Sequence, residues 1–218
     1  MRAEGTVLPR VCLSQFGDAE AFGPLVACAV LLDSISVRAL ADLSRTEWPG
    51  MPAPALSRTA RRVSQVVPFE TVQLTPRKYN TLLNKMTTRV KVLNWAYKKA
   101  LGGLLERYRE AGAATFDLHA PAFAVLGADL PRAVPLIFRG LDEVDPGLAA
   151  AGVLARAHFE KGLSDLERKL AEVLPRGADP GAALVRIFER GGAPMVLQTA
   201  KRDDPRVMQV IAAPRAAG

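Results

Sequence analysis

Two apolar runs joined by a short polar link constrain the fold of this chain more than any other feature. TVLPRVCLSQF (6–16) reads as a short β-run ending at Gly17, and FGPLVACAVLLDS (22–34) follows directly after the link GDAE. Two apolar strands so close in sequence predict an antiparallel hairpin within a buried sheet. VVPFETVQL (66–74), bounded by Pro68 and Pro76, predicts a third strand, and ATFDLHA (114–120) and AVPLIFRG (133–140) a fourth and fifth.

Helical patterning fills the intervals. Residues 45–60, RTEWPGMPAPALSRTA, predict a loop followed by a weak helix start. From Pro76 to Ala111 the spacing predicts the clearest helix, with Thr75 as N-cap and Pro76 at its first position. Clustered threonines predict a kink or break around Met86–Thr88. Leu93, Ala96, Ala100, Leu104 and Tyr108 recur at helical spacing and are expected to face the core. Residues 148–174 predict one long helix or two, and 177–192 a helix started by Asp179 and Pro180 and stopped by Gly191 and Gly192. The tail is expected to be helical in part, with frayed last residues. This order of elements describes an α/β fold, a sheet flanked by helices, with a helical C-terminal extension. The boundary is expected near residue 160, giving a core of 1–160 and an extension of 161–218 packed on it.

Of the 218 residues 49% are apolar, which excludes a disordered chain. Cys12 and Cys28 each sit in an apolar run and read as buried free thiols, neither a disulfide framework nor a metal pair. The start, MRAEGTVLPR, lacks an apolar signal core, and no stretch approaches a membrane span, so a cytoplasmic chain with no membrane partner is expected. The formal charge of +7 fits a polyanionic partner. An Arg-rich, Ala-rich proteome would give the same charge, and charge alone does not separate the two readings.

Five segments in order carry a resemblance to a known family. FGPLVACAV (22–30), LTPRKYNTLLNK (74–85), KVLNWAYKKALGGLL (91–105), DPGLAAAGVLAR (145–156) and LPRGAD with ERGG (174–179, 189–192) resemble the type 2 ribonucleases H, most of all ribonuclease HIII. The resemblance covers about residues 10–202 and implies a ribonuclease H-like mixed sheet flanked by helices. No counterpart of the family's amino-terminal substrate-binding domain is expected. The activity implied is metal-dependent hydrolysis of the RNA strand of an RNA–DNA hybrid, which needs four clustered carboxylates to hold two hard cations.

Carried over position by position, the resemblance implies a broken site. The family's adjacent Asp-Glu falls on Ser14 and Gln15, and its Gly-basic-Gly loop on Gly17, Asp18 and Ala19. The third acid is matched by Asp117 and the fourth by Asp142. No cofactor is firmly implied; a weakly held Mg²⁺ or Mn²⁺ at Asp117 and Asp142 is the most that two acids support. Gly17, Tyr79, Asn80, Lys91, Lys98 and Lys99 form the expected nucleic-acid-binding set, although the lysines read equally well as a solvated helix face. Trp95 and Tyr97 read as packing residues, and His119 and His158 as ordinary surface or half-buried imidazoles.

The expectation is therefore a pseudoenzyme that binds an RNA–DNA hybrid or duplex, or serves as a noncatalytic subunit. One alternative is an active hybrid endoribonuclease using Asp117, Asp142 and a displaced acid such as Asp18 or Glu20. That rescue would need a register slip, which reverses the face of every side chain in the hairpin. The other is a protein-interaction module of a larger assembly, with a protein partner in place of nucleic acid.

Overall fold

The computed structural model describes residues 8–45, 48–117, 133–139, 145–177 and 179–213, with Ser44, Arg45 and Asp117 described by their backbone alone. Five strands build one sheet: β1 (Arg10–Phe16), β2 (Leu25–Leu32), β3 (Phe69–Leu74), β4 (Ala113–Asp117) and β5 (Leu136–Arg139). Their spatial order is β3-β2-β1-β4-β5. β1 runs antiparallel to β2, with Ser14 opposite Cys28 and Phe16 opposite Val26, so the expected hairpin is present. β1 is parallel to β4, and β4 to β5, which makes the sheet mixed. All eight residues of β2 are buried, which explains why its apolar run does not alternate.

The helices are α1 (Ser34–Ala39), α2 (Ala53–Val66), α3 (Pro76–Met86), α4 (Arg89–Arg107), α5 (Pro146–Leu170), α6 (Gly181–Thr199) and α7 (Pro205–Ala212). The expected break in the long central helix falls at Thr87, whose φ of 69° ends α3 in a left-handed cap. Tyr108 differs from expectation. It lies beyond the end of α4, half-buried, with the Arg107 guanidinium 5.9 Å over its ring. α2 is a full 14-residue helix rather than a weak start, because Leu56, Ala60 and Val63 give it a buried stripe. α6 breaks at Gly192, with φ 64° and ψ −165°, and then continues to Thr199 instead of stopping. Among the described residues no helix is long and apolar enough to cross a membrane.

The chain divides into two compact units. The first comprises the described residues of Met1–Phe16, Val26–Val72 and Leu93–Ala157. On one face of its sheet Tyr97 meets Phe116 edge-on at 6.0 Å, and Phe116 stacks on Phe138 at 5.6 Å. On the other face α5 comes very close: a Cβ added at Gly147 would lie 2.4 Å from Cys12 Sγ. The small residues of the Gly-Leu-Ala-Ala-Ala-Gly stretch permit that approach. Both cysteines are free and buried, and burial pushes each thiol up to about 12.

The second unit comprises Gly17–Leu25, Gln73–Val92 and the described residues of His158–Gly218. Here Asn80 is buried and fully used. Its Nδ2 donates to the carbonyls of Leu197 and Ala200, both at 2.8 Å, and its Oδ1 accepts from Arg202 N at 2.9 Å. One amide thus holds the turn between α6 and α7.

Candidate nucleic-acid and metal site

β1 lies at the centre of the sheet, and its residues from Val11 to Ser14 are buried. The parallel register pairs Cys12 with Thr115 and Leu13 with Phe116; carried one residue further, it sets Ser14 beside Asp117. Asp117 in turn pairs with Arg139 of β5. Ser14 and Asp117, two of the four positions implied for acids, are therefore neighbours on adjacent strands. Ser14 is only 1% exposed, and Gln15 Oε1 is buried with no hydrogen-bond partner among the described residues. Asp142 lies outside the described residues, as does His119.

An acid that the sequence reading passed over stands nearby. Asp145 is 8% exposed and caps α5, accepting from Gly147 N at 2.8 Å and Leu148 N at 3.2 Å. It also pairs with Arg10 at 2.7 Å, and the Cys12 thiol faces it at 3.9 Å. The signal was available as an Asp-Pro step before an Ala-rich helix. With its oxygens taken by a cap and an arginine, Asp145 acts as a structural carboxylate.

In the second unit the loop after β1 is tied down at several points. Gly17 has φ +84°, and a Cβ there would meet Pro24 O at 2.4 Å and the Phe159 ring at 2.5 Å, so glycine is required for packing. Asp18 is ion-paired with Arg89. Glu20 accepts from Gly177 N at 3.0 Å through its carboxylate. Lys201, 1% exposed, donates to the Glu20 carbonyl at 2.6 Å, and its own N–H donates to Ala21 O at 2.9 Å. Burial drives the Lys201 amine down to about 8, against the opposing pull of Asp203, Glu20 and Asp18. Lys201 left no signal in the sequence.

Tyr79 is fully buried and donates its hydroxyl to Asp203 at 2.5 Å. Burial first, and Asp203 next, raise its phenol above the ordinary tyrosine range. With Asn80 clamped as described, these two side chains present no free polar edge. Of the lysines on α4, Lys91 and Lys99 are exposed and have no ion pair among the described residues, and Lys98 is half-exposed. Trp95 is half-buried between them, and Tyr97 is wholly inside, as a packing residue should be. His158 is half-buried, and burial followed by Lys161 holds its imidazole below the usual value.

A pair of divalent cations needs clustered anions. Among the described residues no group of three or more His, Cys, Asp or Glu side chains converges. Ser14 and Gln15, at the positions where the resemblance implies acids, are neutral side chains. The described residues do not fit a two-cation centre.

No family model matches the chain. Ribonuclease HIII of Exiguobacterium sibiricum is 27% identical over 170 residues, 75% of this chain and 55% of its own length. Ribonuclease HIII of Chlamydia pneumoniae is 26% identical over 181 residues, 81% of this chain and 61% of its own. Among solved structures, Bst-RNase HIII in complex with Mn²⁺ superposes with a TM-score of 0.83 at 23% identity, covering 94% of this chain and 70% of that one. The chain is similar in sequence to ribonucleases HIII and shares the type 2 ribonuclease H fold. The ribonuclease H2 of Pyrococcus horikoshii shares the type 2 fold at a TM-score of 0.78, 13% identity, and coverage of 94% and 97%. The chain spans little more than half the length of the curated ribonucleases HIII it matches.

Proposed function

We infer that this chain is a catalytically degenerate relative of ribonuclease HIII that binds nucleic acid, an RNA–DNA hybrid or duplex, without cleaving it. The observation that supports the reading is Ser14, a neutral, 1% exposed residue on the central strand, where the resemblance to the family implies its first acid. Its neighbour Gln15 has a buried oxygen and no charge. Removing two of four carboxylates removes about half of the negative charge that offsets the dehydration of Mg²⁺. Under this reading any Mg²⁺ or Mn²⁺ is held weakly, by Asp117 and Asp142 alone.

The net charge of +7 and the exposed Lys91 and Lys99, which have no ion pair among the described residues, support nucleic-acid binding along α4, with Lys98 beside them. The rival reading, an active endoribonuclease, requires a displaced acid. Asp18 and Glu20 are the candidates, and both are already engaged, by Arg89 and by Gly177 N.

The test is a labelled RNA–DNA hybrid in Mn²⁺, with the natural chain beside Ser14→Asp/Gln15→Glu. Cleavage by the natural chain sinks the pseudoenzyme reading and assigns a displaced acid. Cleavage by the restored chain alone supports it. If neither cleaves, hybrid affinity measured across a salt series decides. Steeply salt-dependent binding retains the nucleic-acid reading, and its absence leaves a protein-interaction module.

A further inference from the structure

The second unit contains a cavity of about 460 Å³ that the reading above does not use. Pro24, Pro76, Leu166, Leu170 and Met195 give it an apolar floor. Gln73, Arg77, Lys169 and Gln198 stand around that floor, and no side chain among these four has a hydrogen-bond or ion-pair partner among the described residues. The other polar lining groups are occupied. Asp165, the cavity's one carboxylate among the described residues, is bonded to Arg168. Thr75 Oγ1 accepts from Lys78 N at 3.4 Å, and Thr199 Oγ1 donates to Met195 O at 2.9 Å.

We propose that this cavity binds a phosphorylated ligand: a phosphate group carried on an organic body of about nucleotide size. Two cations without an ion pair among the described residues and one acid already paired with Arg168 line the cavity, so the lining favours an anion. An arginine fork matches phosphate oxygens in pairs, and lysine adds a point charge. Gln73 and Gln198 supply neutral donors. Thr75, Pro76 and Arg77 open the 11-residue helix α3, whose N-terminal partial charge has the same sign. The apolar floor suits a sugar or base, and the volume lies within the usual range for small-molecule sites. The inference is independent of hybrid binding, because the cavity uses none of the α4 lysines.

Titration calorimetry of the full chain with AMP, and with inorganic phosphate as the minimal probe, tests the site. Saturable AMP binding is expected, weakened at least about tenfold in Arg77→Ala/Lys169→Ala through loss of two charge-assisted bonds. Both side chains are exposed, so an unchanged melting temperature checks that the variant is folded. Lys91→Ala/Lys99→Ala should bind AMP as the natural chain does. A single-stranded DNA dodecamer then separates the two sources of phosphate. Displacement of AMP by the dodecamer assigns the cavity to a strand phosphate, and co-binding assigns it to a free nucleotide. The proposal is overturned by no saturable binding of either probe, or by equal AMP affinity in Arg77→Ala/Lys169→Ala. It is equally overturned if AMP binding is lost in Lys91→Ala/Lys99→Ala.

Discussion

Trp48 lies against Gly152 of α5 so closely that a Cβ at position 152 would sit 2.4 Å from its ring. The same indole meets Phe16 edge-on at 6.2 Å, and Arg156 joins both, with its guanidinium 5.9 Å over Phe16 and Nη1 donating to Trp48 O at 2.7 Å. Phe16 shares its face of β1 with Ser14, so this cluster adjoins Ser14. Gly152→Ser forces a rigid ring to move and is expected to cost about 1–3 kcal/mol of stability in urea unfolding. Trp48→Leu in the same chain should recover part of that loss. An unchanged unfolding midpoint in Gly152→Ser would remove Trp48 from its place against α5.

Restoring the acids tests the site without needing turnover. Ser14→Asp/Gln15→Glu puts charge where Ser14 is 1% exposed, so the variant should melt lower than the natural chain in metal-free buffer. Mn²⁺ binds only the folded centre and should raise the melting temperature of the restored chain. The natural chain should respond little. An equal Mn²⁺ shift in both chains would mean that other carboxylates already complete the centre.

Tyr79 and Asn80 belong to the expected nucleic-acid set, yet their polar groups point inward. Tyr79→Phe removes the 2.5 Å bond to Asp203 and should cost about 1–3 kcal/mol of stability. Hybrid affinity at fixed salt should not change. A weakened affinity with full stability would return Tyr79 to the nucleic-acid surface.

Lys201 predicts a pH dependence of known sign. Burial holds its amine down at about 8, whereas an unfolded lysine titrates near about 10.4. Between those values the unfolded chain binds more protons, so this residue makes stability rise with pH, by at most about 1.4 kcal/mol per pH unit. Below about pH 8 both states keep the proton, and the full cost of burying the charge stands. Cys12 and Cys28, pushed up to about 12, act in the opposite direction once unfolded thiols ionise above about pH 8.5. The measurement is therefore the difference between the natural chain and Lys201→Met in urea unfolding from pH 7 to 10. The difference should grow in favour of the natural chain as pH rises, and a flat difference would show that Lys201 titrates normally.

What was legible in the sequence was local. The β1–β2 hairpin followed from two adjacent apolar runs, and the break at Thr87 from a cluster of threonines. α2 was underread because Pro52 and Pro54 look like loop residues, although both lie at the start of the helix, where proline is tolerated. The clamps were invisible for a different reason. Lys201 finds its acceptor at Glu20, 181 positions away, and Tyr79 finds Asp203 across 124. No spacing rule connects such pairs; only the fold does. The expectation at Ser14 and Gln15 comes from an adjacent motif, Gly23-Pro24-Leu25, from which the family's spacing is counted back.

The lysines of α4 provide the most direct test of nucleic-acid binding. Lys91, Lys98 and Lys99 are seven and eight positions apart on a 19-residue helix, a spacing of two turns that puts them along one face. Each lysine that neutralises a phosphate releases a counterion, so log affinity should fall linearly with log salt. Lys91→Ala and Lys99→Ala should each lower that slope by about 1 and together by about 2, whatever the sequence of the hybrid. Both side chains are exposed, and neither has an ion pair among the described residues, so stability should be unaffected. If the slope survives both substitutions, the phosphate backbone follows another surface, and the α4 lysines are a solvated face. The comparison is best made at several salt concentrations, since a single affinity does not separate lost charge from lost shape.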